Sequence, residues 1–94
     1  MKRILIAVLA TFLLGAGAYA YLDEADITDK TEDGSIIKTD DGITWAIDPL
    51  DQIDTSLWMV GDTVIENDNS RACLYYQLIN KDENNETACA RKID

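Results

Sequence analysis

The chain is 94 residues long and carries 18 acidic residues against 8 basic ones, no histidine and a formal net charge of −10 at pH 7. That length allows one small domain with a limited core, and that charge disfavours nucleic acid, whose phosphates need Lys and Arg. The lack of histidine excludes histidine-assisted nucleophilic catalysis and histidine-bound zinc.

Residues 1–20 read as a secretory signal peptide. Met1-Lys2-Arg3 is the basic start, the uncharged run from Ile4 to Leu14 is the apolar middle, and Ala18 and Ala20 occupy the small-residue cleavage positions. Cleavage is expected after Ala20. The competing reading is an uncleaved anchor, because no charge occurs between Ile4 and Leu22. Cleavage leaves 94 − 20 = 74 residues and, by removing Lys2 and Arg3, takes the formal charge from −10 to −12. No cysteine stands near the cut to accept a lipid, so the expected product is secreted or periplasmic and has no membrane attachment.

Residues 21–33 are acidic and nearly lack large apolar side chains, which predicts a flexible lead-in. The folded unit is then 34–94. Ser35-Ile36-Ile37-Lys38 and Ile43-Thr44-Trp45-Ala46-Ile47 read as strands joined through Asp40-Asp41-Gly42. A three-residue loop closing on Gly42 sets Ile37 opposite Trp45 and buries the two together, so it is preferred to a two-residue loop, which would set Lys38 there. Asp48 followed by Pro49 is an N-cap with proline at the first helical position, predicting a short helical turn near 49–56. In that turn Leu50, Ile53 and Leu57 recur on one side, expected to pack on the sheet and plug one end of a barrel, with Asp51 and Asp54 facing water.

Residues 57–60 and 63–65 flank Gly61-Asp62, which suits a two-residue hairpin with Trp58 opposite Ile65. After a turn cluster at 66–70, strands are expected over 72–79 and 86–92, separated by the polar run 80–85. Six short strands with close turns predict an all-β fold: a five- or six-stranded barrel or rolled antiparallel sheet of SH3-like or OB-like size, with one helical turn.

Cys73 and Cys89 are the only cysteines. In an exported chain they are expected to pair, and a bridge closing a loop of this length contributes roughly 3 kcal/mol in the chain-entropy description. Residues 29–40 mimic a calcium loop through Asp29, Thr31, Asp33, Gly34 and Asp40, but threonine at the third position and aspartate at the last depart from the pattern. The aspartates at 48, 51 and 54 are explained by capping and solvation. No phosphate-binding glycine loop or G-x-S-x-G elbow occurs. The sequence therefore predicts no catalytic residue, no cofactor and no metal. Trp45 and Trp58 are expected in the core, and Tyr75 outside.

Asp41-Gly42 with Trp45 and Asp48-Pro49 with Asp51 form a D-G-x-x-W-x-x-D-P-x-D block. A W-x-x-G-D-x-V turn follows through Trp58, Gly61, Asp62 and Val64, and an L-x-N-x-D hairpin starts at Leu78. Together these resemble a family of short exported bacterial β-barrel proteins. The resemblance implies an envelope location and a barrel, and it implies no activity; the cysteine pair lies outside the shared pattern.

The expected function is that of an exported, non-enzymatic β-barrel binding module of the bacterial envelope. Its partner is expected to be a basic protein, met by the acidic positions Asp40, Asp41, Asp51, Asp54, Glu66 and Asp68. The alternative is a secreted acidic inhibitor of a basic enzyme such as a lysozyme or nuclease, and a hydrolase working through two carboxylates ranks last.

Overall fold

The computed structural model describes residues 22–93, so the signal-peptide reading lies outside the described residues. Six strands form a closed antiparallel barrel in the order β1-β2-β3-β6-β5-β4. They are β1 Asp23–Lys30, β2 Ile36–Thr39, β3 Thr44–Ile47, β4 Thr63–Asn67, β5 Tyr76–Asn80 and β6 Glu86–Lys92. A 3₁₀ turn, Pro49–Asp51, runs into one α-helical turn, α1, Gln52–Thr55, between β3 and β4.

The predicted lead-in is in fact the strand that closes the barrel. The first half of β1 pairs with β4 (Ala25 opposite Val64) and the second half with β2 (Lys30 opposite Ile37), across an irregularity between Ile27 and Asp29. Ala25 and Ile27 are buried while Glu24, Asp26 and Thr28 are exposed. Two inward side chains suffice because the neighbouring strands supply the bulk, whereas the outward positions are free to be acidic.

The β2–β3 hairpin has the predicted register, with Ile37 opposite Trp45. Gly42 takes φ +87°, which a side chain would resist. The Asp48 side chain accepts a hydrogen bond from the Leu50 amide with Pro49 at the start of the turn, as the capping pattern requires.

The sidedness of this turn is the reverse of the prediction. Leu50, Ile53 and Leu57 are 89%, 79% and 73% exposed, and Thr55 is buried. Polar groups hold the inner side instead: the Thr55 hydroxyl donates to the Gly34 carbonyl at 2.8 Å, Gln52 Nε2 to the Ile47 carbonyl at 3.0 Å, and the Cys89 amide to Asp51 Oδ2 at 2.8 Å. A Cβ on Gly34 would stand 2.5 Å from Thr55 Oγ1 and 2.7 Å from the Gln52 carbonyl, so glycine permits this close seat.

Residues 57–62 form turns and no strand, so the second predicted hairpin is absent and β4 begins only at Thr63. Backbone bonds tie the segment to β1: the Gly61 amide donates to the Ile27 carbonyl and the Ile27 amide to the Asp62 carbonyl, both at 2.8 Å. Trp58 drops from it into the core, and this indole, together with Thr55, takes the inward place expected of the three aliphatic side chains.

The core is built from Ile27, Ile37, Trp45, Ile47, Trp58, Val64, Leu78, Ala88 and Ala90. β5 starts at Tyr76, later than the predicted strand, and places Gln77 opposite Cys89. The preceding loop doubles back over β6, and this brings Cys73 to Cys89 as a disulfide with a Cα–Cα distance of 5.3 Å. Asn84 and Asn85 at the β5–β6 turn both take positive φ, which asparagine tolerates better than most residues.

Candidate functional site

Two regions of the described surface carry features that folding alone does not explain. The first is a shoulder on the outside of the barrel. Leu50, Ile53 and Leu57 stand out on successive turns of the helical segment, followed by exposed Met59 and Val60. Beside Pro49 lies a groove of about 370 Å³, walled by Ile47, Leu74, Tyr75, Cys89 and Arg91 among others. Leu74 is 86% exposed, and the disulfide holds its loop in place. Exposed aliphatic side chains in this number on a small barrel, with a groove beginning at Pro49, are the kind of feature that marks an interaction surface. Asp48 and Asp54 are exposed beside the aliphatic residues, whereas Asp51, expected to face water, turns inward to the Cys89 amide, so the ridge is apolar with an acidic residue at each end of the turn.

The second region is one mouth of the barrel. Glu66 lies on β4 two residues after Val64, hence on the inward face, and is only 6% exposed. Its Oε2 is buried without a hydrogen-bond donor. The polar group it meets is another carboxyl, that of Asp41, and such a contact requires one of the two to carry a proton. Burial, the bond to Asp41 and the negative charges of Asp41 and Asp23 push the Glu66 carboxyl up to about 8, with Lys92 opposing.

Burial also works to raise the Asp41 carboxyl, but hydrogen bonds from Glu66, Thr39 and the Ile43 amide outweigh it and leave the group below its usual value. Thr39 Oγ1 donates to Asp41 Oδ1 at 2.6 Å and accepts from the Trp45 indole at 3.1 Å, so the core tryptophan is wired to the acid pair.

Across the same mouth the Lys92 ammonium sits 4.9 Å from the centre of the Tyr76 ring and 5.9 Å from that of Trp45, and those two rings meet edge to face at 5.0 Å. The bond to Tyr76 raises the Lys92 ammonium above its ordinary value, burial opposes this, and the charges of Tyr76, Glu66 and Asp41 add to the rise. Leu22, Asp23, Glu66, Asp68, Tyr76 and Lys92 line a cleft of about 100 Å³.

Of the acidic positions singled out in the sequence, Asp41, Glu66 and Asp68 are thus brought to one mouth. The others are dispersed. Asp40 accepts from the Asp26 amide at 3.1 Å, Asp51 is bonded to the Cys89 amide, and Asp54 projects from α1. Glu66 is a strand residue and does not belong to a loop. Asp33, in the calcium-like stretch, accepts from the Ser35 hydroxyl and amide and from the Thr31 hydroxyl, which lower its carboxyl to about 2. Among the described residues no group of three or more His, Cys, Asp or Glu is placed to hold a metal ion, and no helix is long and apolar enough to cross a membrane.

The apolar shoulder was missed because a period of three and four residues locates a stripe without saying which way it faces. No protein-family model matches the chain, and no curated protein or solved structure is significantly similar to it.

Proposed function

We propose that the chain is an exported, non-enzymatic binding module of the bacterial envelope, secreted or periplasmic after cleavage of its signal, which docks a basic protein on the Leu50-Ile53-Leu57 shoulder. The observation that carries this reading is the outward stripe itself. Turning three aliphatic side chains into water does nothing for the barrel, which is held by Trp58 and Thr55 on the other side of the same segment.

Charge complementarity selects the occupant. Exposed Asp48 and Asp54 flank the stripe, and the whole chain is strongly acidic, so a partner offering apolar side chains ringed by Lys and Arg is attracted from a distance and oriented on arrival. The Cys73–Cys89 bridge supports an oxidising compartment. The motif resemblance supports an envelope location.

The test is a pull-down from envelope extract with disulfide-intact protein, run beside the triple variant Leu50→Ser, Ile53→Ser, Leu57→Ser at low and high salt, with mass spectrometry of bait and prey. A partner rich in basic residues, held by the wild type, released by salt and lost by the triple variant, is the expected result. Equal capture by both proteins would refute the docking surface. If the captured partner is an enzyme whose activity falls in the complex, the inhibitor reading describes what the binding accomplishes.

A further inference from the structure

The barrel mouth goes beyond the docking shoulder and shares none of its residues. We propose that the cleft lined by Asp23, Glu66, Asp68, Tyr76 and Lys92 is a binding site for a primary ammonium group, held by the unpaired Glu66 oxygen and the face of Tyr76. The argument starts from an imbalance. Three carboxyl groups, those of Asp23, Glu66 and Asp68, are spread around the rim of a cleft that contains one ammonium, Lys92, and a fourth, Asp41, meets Glu66 from behind. Glu66 is more than nine-tenths buried and its Oε2 has no donor. A buried acid in that position is costly, and an apolar residue or an amide would close the mouth better.

The chemistry of the walls selects the ligand. An ammonium offers three donors to oxygens that only accept. The face of Tyr76 attracts organic cations, and the molecule already seats one there, the exposed Lys92 ammonium, 4.9 Å from the ring centre. Lys92 therefore stands where the ligand would stand, on a flexible stem that can swing outward. The cleft, at about 100 Å³, has room for several waters or for one ammonium head with its first carbons. A metal ion is disfavoured, because no three ligands converge among the described residues.

Binding is balanced by proton release. The carboxyl pair gives up its one proton to solvent as the ammonium arrives, so the charge of the mouth is unchanged. The titratable groups facing Glu66 are Asp23 from β1, Asp41 from the β2–β3 turn, Asp68 just beyond β4, Tyr76 from β5 and Lys92 from β6. Affinity accordingly rises about tenfold per pH unit until the Glu66 carboxyl titrates, near 8, and is flat above that.

The experiment is a titration of the ¹⁵N-labelled, disulfide-intact full chain, purified as the cell processes it, followed at the Trp45 indole N–H with proton release recorded in parallel. Two probes separate the sources of the ammonium: n-butylammonium represents a free amine, and Nα-acetyl-lysine N-methylamide a lysine of a protein partner. Saturable shifts with either probe, about one proton released per ligand below pH 8, and a loss of at least about tenfold in affinity for Glu66→Gln are expected. Lys92→Met, which removes the competing cation, should bind n-butylammonium more tightly than the wild type. Binding of the lysine derivative alone would assign the site to a protein partner. The absence of saturation with both probes, affinity independent of pH, unchanged binding by Glu66→Gln or weaker binding by Lys92→Met would each overturn the proposal. Glu66→Gln keeps the shape of the protonated side chain, and its circular dichroism shows whether the barrel is intact.

Discussion

The two mouths of the barrel are made from similar parts and finished differently. At one, Trp58 fills the interior and its indole donates to Glu86 at 2.8 Å. There Asp62 Oδ2 accepts from the Met59 amide at 3.0 Å and from Asn80 Nδ2 at 2.9 Å, while Asn80 Oδ1 accepts from the Asp82 amide at 2.9 Å. At the other, Trp45 fills the interior and its indole leads through Thr39 to Asp41, but the chain of bonds ends on a second acid, Glu66, with an oxygen left over. The first network runs out into backbone amides, and the second runs out into a cleft. Buried polarity that closes on itself is serving the fold, and buried polarity left open is available for something else.

That contrast can be broken from either side. The largest effect is expected at the finished mouth: Trp58→Ala leaves a cavity in the core and should cost about 4 kcal/mol, read as a lower denaturant midpoint, and in a domain this small that approaches the whole stability. Asn80→Ala should cost about 2 kcal/mol, because it strips Asp62 of a buried donor, and the same denaturation curves would show it.

Glu66→Gln at the open mouth should be neutral to stabilising near neutral pH, and its signature lies in the pH dependence. The Glu66 carboxyl is raised from 4.5 to about 8, so between those values the folded protein holds a proton that the unfolded chain has lost. Wild-type stability contributed by this group is complete below 4.5 and declines as pH rises to about 8. Melting curves across that window should show the midpoint falling with pH in the wild type and staying flatter in Glu66→Gln. Equal slopes would mean that the acid is ionised in the barrel and that the two mouths do not differ. The smallest effect belongs to the shoulder, where Leu50→Ser, Ile53→Ser and Leu57→Ser should each move stability by no more than about 0.5 kcal/mol, since they remove exposed side chains.

The reasons for success and failure in reading the chain are local and specific. The Ile37–Trp45 register followed from asking which loop length buries two large side chains together, and the helical turn followed from Asp48-Pro49, whose chemistry acts within four residues. β1 escaped because aspartate and glutamate fill its outward positions and only Ala25 and Ile27 carry the alternation. Trp58 was assigned to a hairpin because Gly61-Asp62 is a good turn in isolation; the partner of that segment is Ile27, more than thirty residues earlier. Glu66 could have been noticed as a charged residue in step with Val64. Its meeting with Asp41 could not, because only closure of the barrel brings β4 and the β2–β3 turn to the same mouth.

Closure has a further effect on how this molecule meets others. Each of the six strands has a neighbour on both sides over at least part of its length, so the sheet has no edge strand left open from end to end onto which a foreign strand could be added. A greasy ridge on an open sheet would invite runaway stacking of copies. On this one, a visitor can be recognised only through side-chain shape and charge, and the surface can be adhesive without becoming a template for fibres.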